Sequence, residues 1–424
     1  MTKKEQISSS LKATREKRKS QDCKVFEIKV DKSHLSKATC EQIKRVFLES
    51  KWLYNYTLAQ ENVFDADDKI KEVEIKVKDV FEKRELTIIG SQIKQSVLDG
   101  LTQNIKNLSK AKKKGISVGK LNFINRYDSI DLKQFGNTYK IKGSRIKIQG
   151  ISQWFRVRGL NQIEGYEIAN AKFIQKSGDY YLHITCYKKK EEQAIKTKRA
   201  VGIDFGIKTQ LTLSDGLVGV ELNYASEFPK RLRKLYRRWS KKEKHSANWY
   251  KKLEQINREF NYWTNKKKDT RNKIINILEK NFGIICYQND NFRGWQRIWG
   301  RRMLSTGIGG ITARLKKSAT SVQVDRFFAS TKTCSCCHHK QNVGLEERTF
   351  VCEKCGFIAP RDFNSGTNIL QNGLNKIGVE YTEYTPAEME SSALNNLLEK
   401  FKAIPRLKVS SVAETGSLVP LGMR

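Results

Sequence analysis

The sequence predicts an α/β protein of several domains, an interpretation that rests on three observations. Segments that alternate apolar and polar residues, as half-buried strands do, occur near the N-terminus, between about 121 and 190, and again from residue 200. Segments with apolar residues three or four positions apart, as in amphipathic helices, occupy about 36–114 and 229–280. Five of the nine cysteines fall in one short window, which is typical of a metal-binding module. The 424 residues leave room for two or three domains.

The first half predicts a β domain that carries a helical insertion. Residues 24–31, "KVFEIKVD", alternate and predict a first strand after a polar, lysine-rich and partly flexible arm. From about Ser36 to Lys114 the helical spacing predicts two or more amphipathic helices. Between about Leu121 and Lys190 the period returns to two, with glycine-centred turns and a hairpin around Gly178.

The second half opens on a predicted β-hairpin. In "AVGIDFGIKTQLTLSDG" the alternating apolar residues are Val201, Ile203, Phe205, Ile207, Leu211 and Leu213. Asp215 and Gly216 then supply turn residues. At the other end of this half, the mixed charges and prolines after Ser365 predict a peripheral or loosely ordered tail beyond about Gly373.

The segment from Pro229 to Lys280 carries 18 Lys and Arg against five acids, with aromatic residues at helical spacing. A solvated pair of basic helices is one interpretation. A phosphate-contacting surface is the one we favour, because aromatic rings interleaved with a net charge of this size suit nucleic acid. The candidate contact residues are Lys230, Arg231, Arg233, Arg237, Arg238, Lys241, Lys251, Lys266 and Arg271.

The whole chain has a formal charge of +36, which favours an anionic partner. Nucleic acid is the default interpretation of such a charge. An anionic membrane surface would be the alternative, but the sequence shows neither a long apolar span nor a signal peptide. We therefore expect a cytoplasmic protein that does not bind membranes.

The pairs Cys334-x-x-Cys337 and Cys352-x-x-Cys355 are separated by fourteen residues. Each pair can form a tight knuckle that presents two thiolates to one tetrahedral zinc ion. Cys336, His338 and His339 are spare candidates; we interpret Cys336 as a bystander because it breaks the two-residue gap. Four thiolates leave no open coordination position, so the predicted zinc is structural.

Two aspartates lie at positions where a carboxylate has a marked energetic effect, one in an apolar strand and one at the start of a helix. Asp204 falls among apolar neighbours in a predicted strand, where an ordinary edge-strand acid is the alternative. Asp362 opens a predicted helix after Pro360, where a helix cap is the alternative. Together with an acid at a strand end, they match the carboxylate cluster with which two-metal nucleases hold paired magnesium ions.

In their order along the chain, "GIDFGIK", the basic helical stretch, "QNDNF", "STKTCSCC", "CEKCGF" and "RDFNSGTNIL" resemble the RuvC-type half of TnpB proteins and of the related miniature type V-F CRISPR effectors. The resemblance covers roughly residues 195–372, and is weaker upstream. It implies an RNase H-like (RuvC) nuclease domain with a zinc-ribbon insertion, and an N-terminal β-barrel-like wedge domain with a helical recognition insertion. It also implies RNA-guided cleavage of DNA, in which base pairing reads the sequence.

Carried over residue by residue, the resemblance places the first acid at Asp204, the third at Asp362 and the zinc ligands at the four cysteines. The second acid departs from the pattern: a common family form has Glu where this chain has Gln288, followed by Asn289. Gln288 cannot neutralise a cation. Asp290 lies two positions on, about 7 Å along an extended strand and on the same face. We predict that Asp290 supplies the missing carboxylate.

These interpretations define the expected organisation. A wedge-type β domain would span 1–35 and 121–192, a recognition insertion 36–120, the nuclease domain 193–330 and 358–373, the zinc knuckle 331–357 and the tail 374–424. The expected cofactors are two Mg²⁺ ions and one structural Zn²⁺. The expected partners are a guide RNA and double-stranded target DNA with a short flanking motif, bound by a monomer or homodimer per guide in a prokaryotic cytoplasm.

Two alternatives stay open from the sequence. A relative that has lost cleavage could act as an RNA-guided DNA-binding repressor, with the absence of Glu at position 288 as the lesion. A basic RNA-binding scaffold with a zinc ribbon and no guided targeting is the other. Cleavage distinguishes the active enzyme from the repressor, and dependence of DNA binding on guide complementarity distinguishes either from the scaffold.

Overall fold

The computed structural model describes residues 3–77, 80–190, 199–215, 219–222, 228–344, 346–379, 391–405 and 407–410. The chain forms two compact units, Met1–Glu191 and Glu192–Arg424. None of the described helices is long and apolar enough to cross a membrane.

The first unit is built on a seven-stranded antiparallel sheet. Its strands and those of a separate hairpin are β1 (Gln21–Val30), β2 (Glu72–Val77), β3 (Val80–Glu85), β4 (Ser129–Leu132), β5 (Tyr139–Lys142), β6 (Arg145–Ile148), β7 (Phe155–Arg158), β8 (Glu167–Lys176) and β9 (Asp179–Lys189). The order in the sheet is β4-β8-β9-β1-β7-β6-β5, and β2 pairs with β3 alone. The helices are α1 (Lys3–Lys19), α2 (Lys37–Leu58) and α3 (Ser91–Lys113), and the apolar faces of α2 and α3 share one core with the sheet.

Two parts of this unit differ from the sequence prediction. The arm expected to be partly flexible forms α1, whose end is held to the sheet: Lys17 and Arg18 pair with Glu167, and the Arg18 guanidinium lies 3.6 Å from the centre of the Tyr187 ring. The region expected to be helical contains the β2–β3 hairpin. The segment "EVEIKV" in fact alternates with period two, the spacing of a strand.

The second unit is built on a mixed six-stranded sheet in the order β14-β13-β10-β11-β12-β17. Its strands are β10 (Ala200–Asp204), β11 (Leu211–Leu213), β12 (Gly219–Leu222), β13 (Ile284–Gln288), β14 (Ser321–Val324) and β17 (Leu407–Ser410), and a small separate sheet pairs β15 (Thr349–Val351) with β16 (Ile358–Pro360). β10, β13 and β14 run parallel, whereas β10, β11, β12 and β17 are antiparallel neighbours.

Helices cover both faces of this sheet. The helices of the unit are α4 (Phe228–Ser240), α5 (Ala247–Asn281), α6 (Phe292–Trp299), α7 (Arg301–Thr306), α8 (Ile308–Leu315), α9 (Arg361–Lys376) and α10 (Ser391–Lys402). Side chains alternate between the faces, so Val201 and Ile203 join the core with α5, α8 and α10, while Ala200 joins the core with α9. By the same alternation Asp204 faces α9.

Two expectations for this unit are corrected. Residues 205–210 form a loop between β10 and β11, so the strand does not continue to Ile207; of the turn expected at Asp215 and Gly216, Gly216 is outside the described residues. The tail expected to be peripheral beyond Gly373 instead contributes two packed elements. Leu397 and Phe401 of α10 are buried in the main core, and β17 pairs with β12. The segment is polar on average, although α10 has an apolar face that includes Leu397 and Phe401.

Candidate functional site

The candidate site lies where two parallel strands end beside the start of a helix. β10 and β13 pair from Ala200 with Ile284 to Ile203 with Tyr287, so Asp204 and Gln288 end their strands at the same edge of the sheet. α9 starts at this edge, with Asp362 in its first turn. Asp204, Asp290 and Asp362 line one cavity of about 850 Å³. The structure thus brings the three sequence-predicted acids to one place.

Close backbone packing sets the position of α9. A Cβ atom on Gly202 would lie 2.0 Å from the carbonyl oxygen of Gly366, and one on Gly373 would lie 2.4 Å from Sγ of Cys286. Helix and sheet therefore approach more closely than any side chain at these positions would allow. The approach brings Ser365 to Asp204, whose Oδ1 accepts a hydrogen bond from Ser365 Oγ at 3.0 Å.

The electrostatic environment of Asp204 disfavours a bare carboxylate. Burial raises the pKa of Asp204 well above its usual range, and the negative charges of Asp362 and Asp290 raise it further. The Ser365 hydroxyl and Arg361 act in the opposite direction. A cation placed between the acids would relieve both the desolvation and the repulsion.

Asp290 lies two residues past the end of β13, so its position depends on the loop and not on strand periodicity. The Asn289 amide N–H donates to the Val324 carbonyl at 3.1 Å, which holds the chain to the sheet at this point. Burial raises the pKa of Asp290 to about 7, against the opposing charge of Arg326. Burial thus disfavours the charged form of Asp290, and a bound cation would favour that form.

Gln288, at the position of the usual family acid, is buried and fully engaged with protein groups. Its Nε2 lies within hydrogen-bonding distance of the carbonyl oxygens of Asp325 (3.1 Å), Arg326 (3.2 Å) and Phe328 (2.7 Å). Its Oε1 accepts from Ser330 Oγ at 2.9 Å. Since the amide donates to main-chain carbonyls, a carboxylate there would face three oxygen atoms. Gln288 thus holds the loop from Asp325 to Ser330 at the end of β13.

A polar relay connects this loop to the acids. Ser365 Oγ lies 3.0 Å from both Asp204 Oδ1 and Ser330 Oγ, and Ser330 in turn contacts Gln288. On the same face of α9, Asn364 and Asn368 donate to the Thr333 carbonyl at 2.8 and 2.6 Å. The polar face of α9 therefore fixes the segment from Ser330 to Thr333, which leads into the cysteine cluster.

The donor set of the cavity suits hard divalent cations, since carboxylate oxygens are the ligands that Mg²⁺ prefers. The three acids flank an open cavity, and they do not form a closed cage. Within the part of the chain that the structure describes, only the four cysteines are gathered as a group of three or more possible metal ligands with ligand atoms all within 4.8 Å. Ions at the aspartates would thus be shared with water or substrate, as open catalytic sites require.

The four predicted cysteines form this compact cluster, with sulfur atoms 3.7 Å apart for Cys334 and Cys355 and 3.6 Å for Cys337 and Cys352. Each Cys-x-x-Cys pair is followed by a left-handed residue, His338 (φ 58°) or Gly356 (φ 71°). The amide of each donates to the carbonyl of the first cysteine in its pair, at 2.9 and 3.0 Å.

The predicted four-cysteine cluster is therefore confirmed, and four thiolates suit structural zinc. Cys336 is exposed and belongs to no such group among the described residues. β16, which follows the second pair, leads directly into α9 and Asp362. The cluster thus lies next in the chain to one of the candidate acids.

The predicted nucleic-acid contacts lie on α4 and α5 and in the turn between them. Of these, Lys230, Arg231, Arg233, Arg237, Arg238, Lys241 and Lys251 are exposed, while Lys266 and Arg271 are half-buried. Arg231 pairs with the buried Glu259 at 3.2 Å, and Lys266 lies 4.0 Å from the centre of the Tyr262 ring.

Sequence reasoning missed several residues at the cavity. Ser330, Trp295, Trp299 and Arg302 line it, and Ser365 reaches Asp204 from α9. For the tryptophans the signal was available, because "FRGWQRIW" places aromatic rings at helical spacing directly after Asp290 and Asn291. The serines gave none, since their role depends on which segments fold together.

Two family models match separate parts of the chain. The model described as "Probable transposase" (OrfB_IS605) matches residues 183–284, and "Cas12f1-like, TNB domain" matches residues 313–369. These two matches confirm the predicted resemblance to TnpB proteins and their Cas12f1-like relatives. The first match includes the strand that ends at Asp204, and the second includes all four cluster cysteines and Asp362.

Curated relatives of this TnpB-like chain carry concordant names. It is 25% identical over 52% of its length to "Putative RNA-guided DNA endonuclease InsQ" of Escherichia coli K12, of which it covers 60%. It is 28% identical over 42% of its length to "Putative RNA-guided DNA endonuclease" of Streptomyces pristinaespiralis, of which it covers 46%. The chain thus matches less than two thirds of the length of these relatives.

A solved structure, "Cryo-EM structure of the Cas12f1-sgRNA-target DNA complex", matches 65% of this TnpB-like chain and 70% of its own, at 17% identity and a TM-score of 0.38.

Proposed function

We propose that the protein is a magnesium-dependent, RNA-guided DNA endonuclease with one RuvC-like site. The observation that carries the proposal is the convergence of Asp204, Asp290 and Asp362, from distant parts of the chain, on one cavity where burial and mutual repulsion favour a bound cation. The sheet that positions them combines antiparallel and parallel strands with α9 across it, which supports the expected RNase H-like assignment.

In this mechanism the three aspartates would hold two magnesium ions, which when bound activate the attacking water and stabilise the leaving oxygen. Asp204 is oriented by Ser365, whose hydroxyl donates to Oδ1. Arg361 lies 3.7 Å from Asp362 and also lines the cavity, so it can contact a substrate phosphate beside the acids. Gln288 and Ser330 keep the loop that borders the cavity in place.

The partners follow from charge and family. The net charge of +36 and the exposed basic residues of α4 and α5 support binding of guide RNA and target DNA, and the names of the relatives support RNA guidance. The wedge, recognition and nuclease boundaries, and a structural zinc ion at the cysteine cluster, remain parts of this proposal.

An RNA-guided repressor without cleavage is the second candidate, and the uncharged Gln288 is the observation that favours it. A reconstituted cleavage assay tests both. The protein is purified with its co-purifying RNA, that RNA is sequenced, and a plasmid carrying the matching target is incubated with Mg²⁺. We expect cleavage that is lost in Asp204→Ala and Asp290→Ala while target binding is retained. Unchanged cleavage in Asp290→Ala would refute its role, and guided binding without any cleavage would establish the repressor.

A further inference from the structure

An aromatic wall lies beside the acids. α6 begins two residues after Asp290, and its rings continue a series of contacts that starts in the core. Phe205 contacts Phe292 with ring centres 6.0 Å apart, Phe292 contacts Trp295 at 5.3 Å, and Trp295 contacts Trp299 at 6.1 Å. The series therefore ends on Trp299 at the molecular surface.

The two tryptophans line the cavity that contains Asp204, Asp290 and Asp362. Trp295 is half-buried against the core, whereas 41% of Trp299 is exposed. The nearly perpendicular contact between them, at 86°, braces the exposed ring against one that the core holds. A large ring that is both accessible and braced has little conformational entropy to lose when a planar ligand binds.

Cationic side chains line the same cavity. Lys208, Arg302, Arg348 and Arg361 accompany the three acids and the two tryptophans. Positive groups for phosphates and an aromatic face for a base are the combination with which proteins hold single-stranded nucleic acid. A base within a duplex is already stacked on both sides, so this combination selects an unpaired nucleotide.

We propose that Trp299, supported by Trp295, is a stacking platform for one unpaired nucleobase of the strand whose phosphate reaches the three aspartates. The platform would set which phosphate enters the site, because it holds the base of a neighbouring nucleotide at a fixed place. Trp299 is then a positioning residue for the strand. The inference rests on the proposed nuclease function, and it assigns a base-binding subsite within the same cavity.

The first test measures stacking without cleavage. Short single-stranded DNA oligonucleotides, each with one 2-aminopurine at a different position, are bound to the full chain carrying Asp204→Asn and its co-purifying RNA. We expect fluorescence quenching at one or two adjacent positions, its loss on adding Trp299→Ala, and its partial retention with Trp299→Phe. Ile298→Ala is the matched control, since Ile298 is the adjacent residue, is 72% exposed and does not line the cavity. Equal quenching with and without Trp299→Ala would overturn the proposal, as would equal loss with Ile298→Ala.

The second test measures cleavage in the otherwise unaltered protein. We expect Trp299→Ala to reduce kcat/KM by roughly 5- to 150-fold, the usual range for one stacked base. Removing the base at the quenched position should reduce cleavage by the wild type to a similar extent and have no further effect on Trp299→Ala. Independent, multiplying losses would overturn the proposal. If no cleavage occurs at all, the nuclease proposal fails while the fluorescence experiment still decides whether the base is bound.

Discussion

Gln288 and Asp290 lie two positions apart, yet their surroundings differ: hydrogen-bond acceptors surround the Gln288 amide, and other acids share the cavity of Asp290. The side chain of Gln288 meets main-chain carbonyls that need a donor, whereas Asp290 enters a cavity where a second and a third acid are close. A carboxylate at 288 would keep the Ser330 hydroxyl as a donor but would face main-chain carbonyl oxygens, while a bound cation would favour the charged form of the acid at 290.

The substitution Gln288→Glu tests the environment of position 288. We expect it to lower the free energy of unfolding by roughly 3 kcal/mol, because it removes buried donors and places a carboxyl group against carbonyl oxygens. Urea unfolding measures this, and Asn289→Glu, which adds the same group at the adjacent exposed residue, should change stability by less than about 0.5 kcal/mol. A stable Gln288→Glu protein with increased cleavage would instead show that position 288 accepts the catalytic acid.

The raised pKa of Asp290 predicts a pH-dependent stability. An acid whose pKa is about 7 in the folded protein and 3.8 when unfolded favours the folded state most below pH 4, and this contribution is lost as the pH rises through 7. Without added magnesium, Asp290→Asn should therefore be more stable than the wild type at pH 8 by roughly 4 kcal/mol. The difference should narrow as the pH falls from 7 towards 4.

Urea unfolding at several pH values measures this difference. Asp269→Asn, at an exposed position of α5, is the control and should change the unfolding free energy little at any pH. Added magnesium should stabilise the wild type at pH 8 more than it stabilises Asp290→Asn. Equal stability of wild type and Asp290→Asn at pH 8 would contradict the environment assigned to this acid.

At the scale of elements, α9 is the part on which the candidate site depends. It supplies Asp362 and Ser365, its polar face holds the Ser330–Thr333 segment, and its close contact with β10 needs glycine at 202. A shift of this helix by a fraction of an ångström would therefore change the spacing of the acids.

Gly202→Ala should displace α9, because the new Cβ would lie 2.0 Å from a main-chain oxygen that cannot rotate away. We expect destabilisation by roughly 1–3 kcal/mol, as for overpacked cores, together with impaired cleavage. Gly309→Ala in α8 meets no atom within 4 Å and should instead stabilise by about 0.5–1 kcal/mol. Equal urea midpoints for the two variants would show that the helix tolerates the methyl group.

The adjacent residues Cys336 and Cys337 should differ in their effect on zinc binding. Cys337→Ser should abolish zinc binding and reduce cleavage, because β16 connects the cluster to α9 and Asp362. Cys336→Ser should retain one zinc per chain, since the exposed Cys336 lies outside the cluster. Elemental analysis of the purified proteins gives the stoichiometry; loss of zinc in both variants would assign Cys336 to the site.

At the scale of the whole molecule, charge is the dominant property. The excess of 81 Lys and Arg over 45 Asp and Glu must be balanced by polyanions or salt, so binding of nucleic acid should weaken steeply as salt concentration rises. Each of the two units has its own apolar core, which leaves this charge to the surface.

The double exchange Arg237→Gln/Arg238→Gln tests how much of this binding α4 carries. Both residues are exposed, and among the described residues neither pairs with a carboxylate. The affinity decreases with salt, so a plot of log affinity against log salt has a negative slope. For each phosphate that the variant no longer neutralises, we expect this slope to become less steep by about 0.7 on a single strand, or about 0.9 on a duplex. Arg258→Gln, whose guanidinium pairs with Glu254 at 2.8 Å, should change the slope little. An unchanged slope in the double variant would show that other residues bind the phosphates.

The sequence by itself determined those features that depend on local spacing. The cysteine cluster followed from two Cys-x-x-Cys pairs, because each pair forms a knuckle within a few residues. The strand before Asp204 and the helices α2, α3 and α5 followed from apolar periodicity. Asp204 was a candidate because a carboxylate in an apolar strand costs free energy unless it is paired. Asp362 was a candidate because it lies at the start of a helix.

Only the tertiary structure decided what depends on distant residues meeting. The interaction of Gln288 with a loop some 40 positions away, the relay through Ser330 and Ser365, and the pairing of β17 with β12 each join segments far apart in the chain. No local pattern predicts such contacts, since serine, glutamine and short strands are also common on protein surfaces. The environment of Asp290 is of the same kind, because the burial that raises its pKa comes from elements packed around a loop beyond the end of its strand.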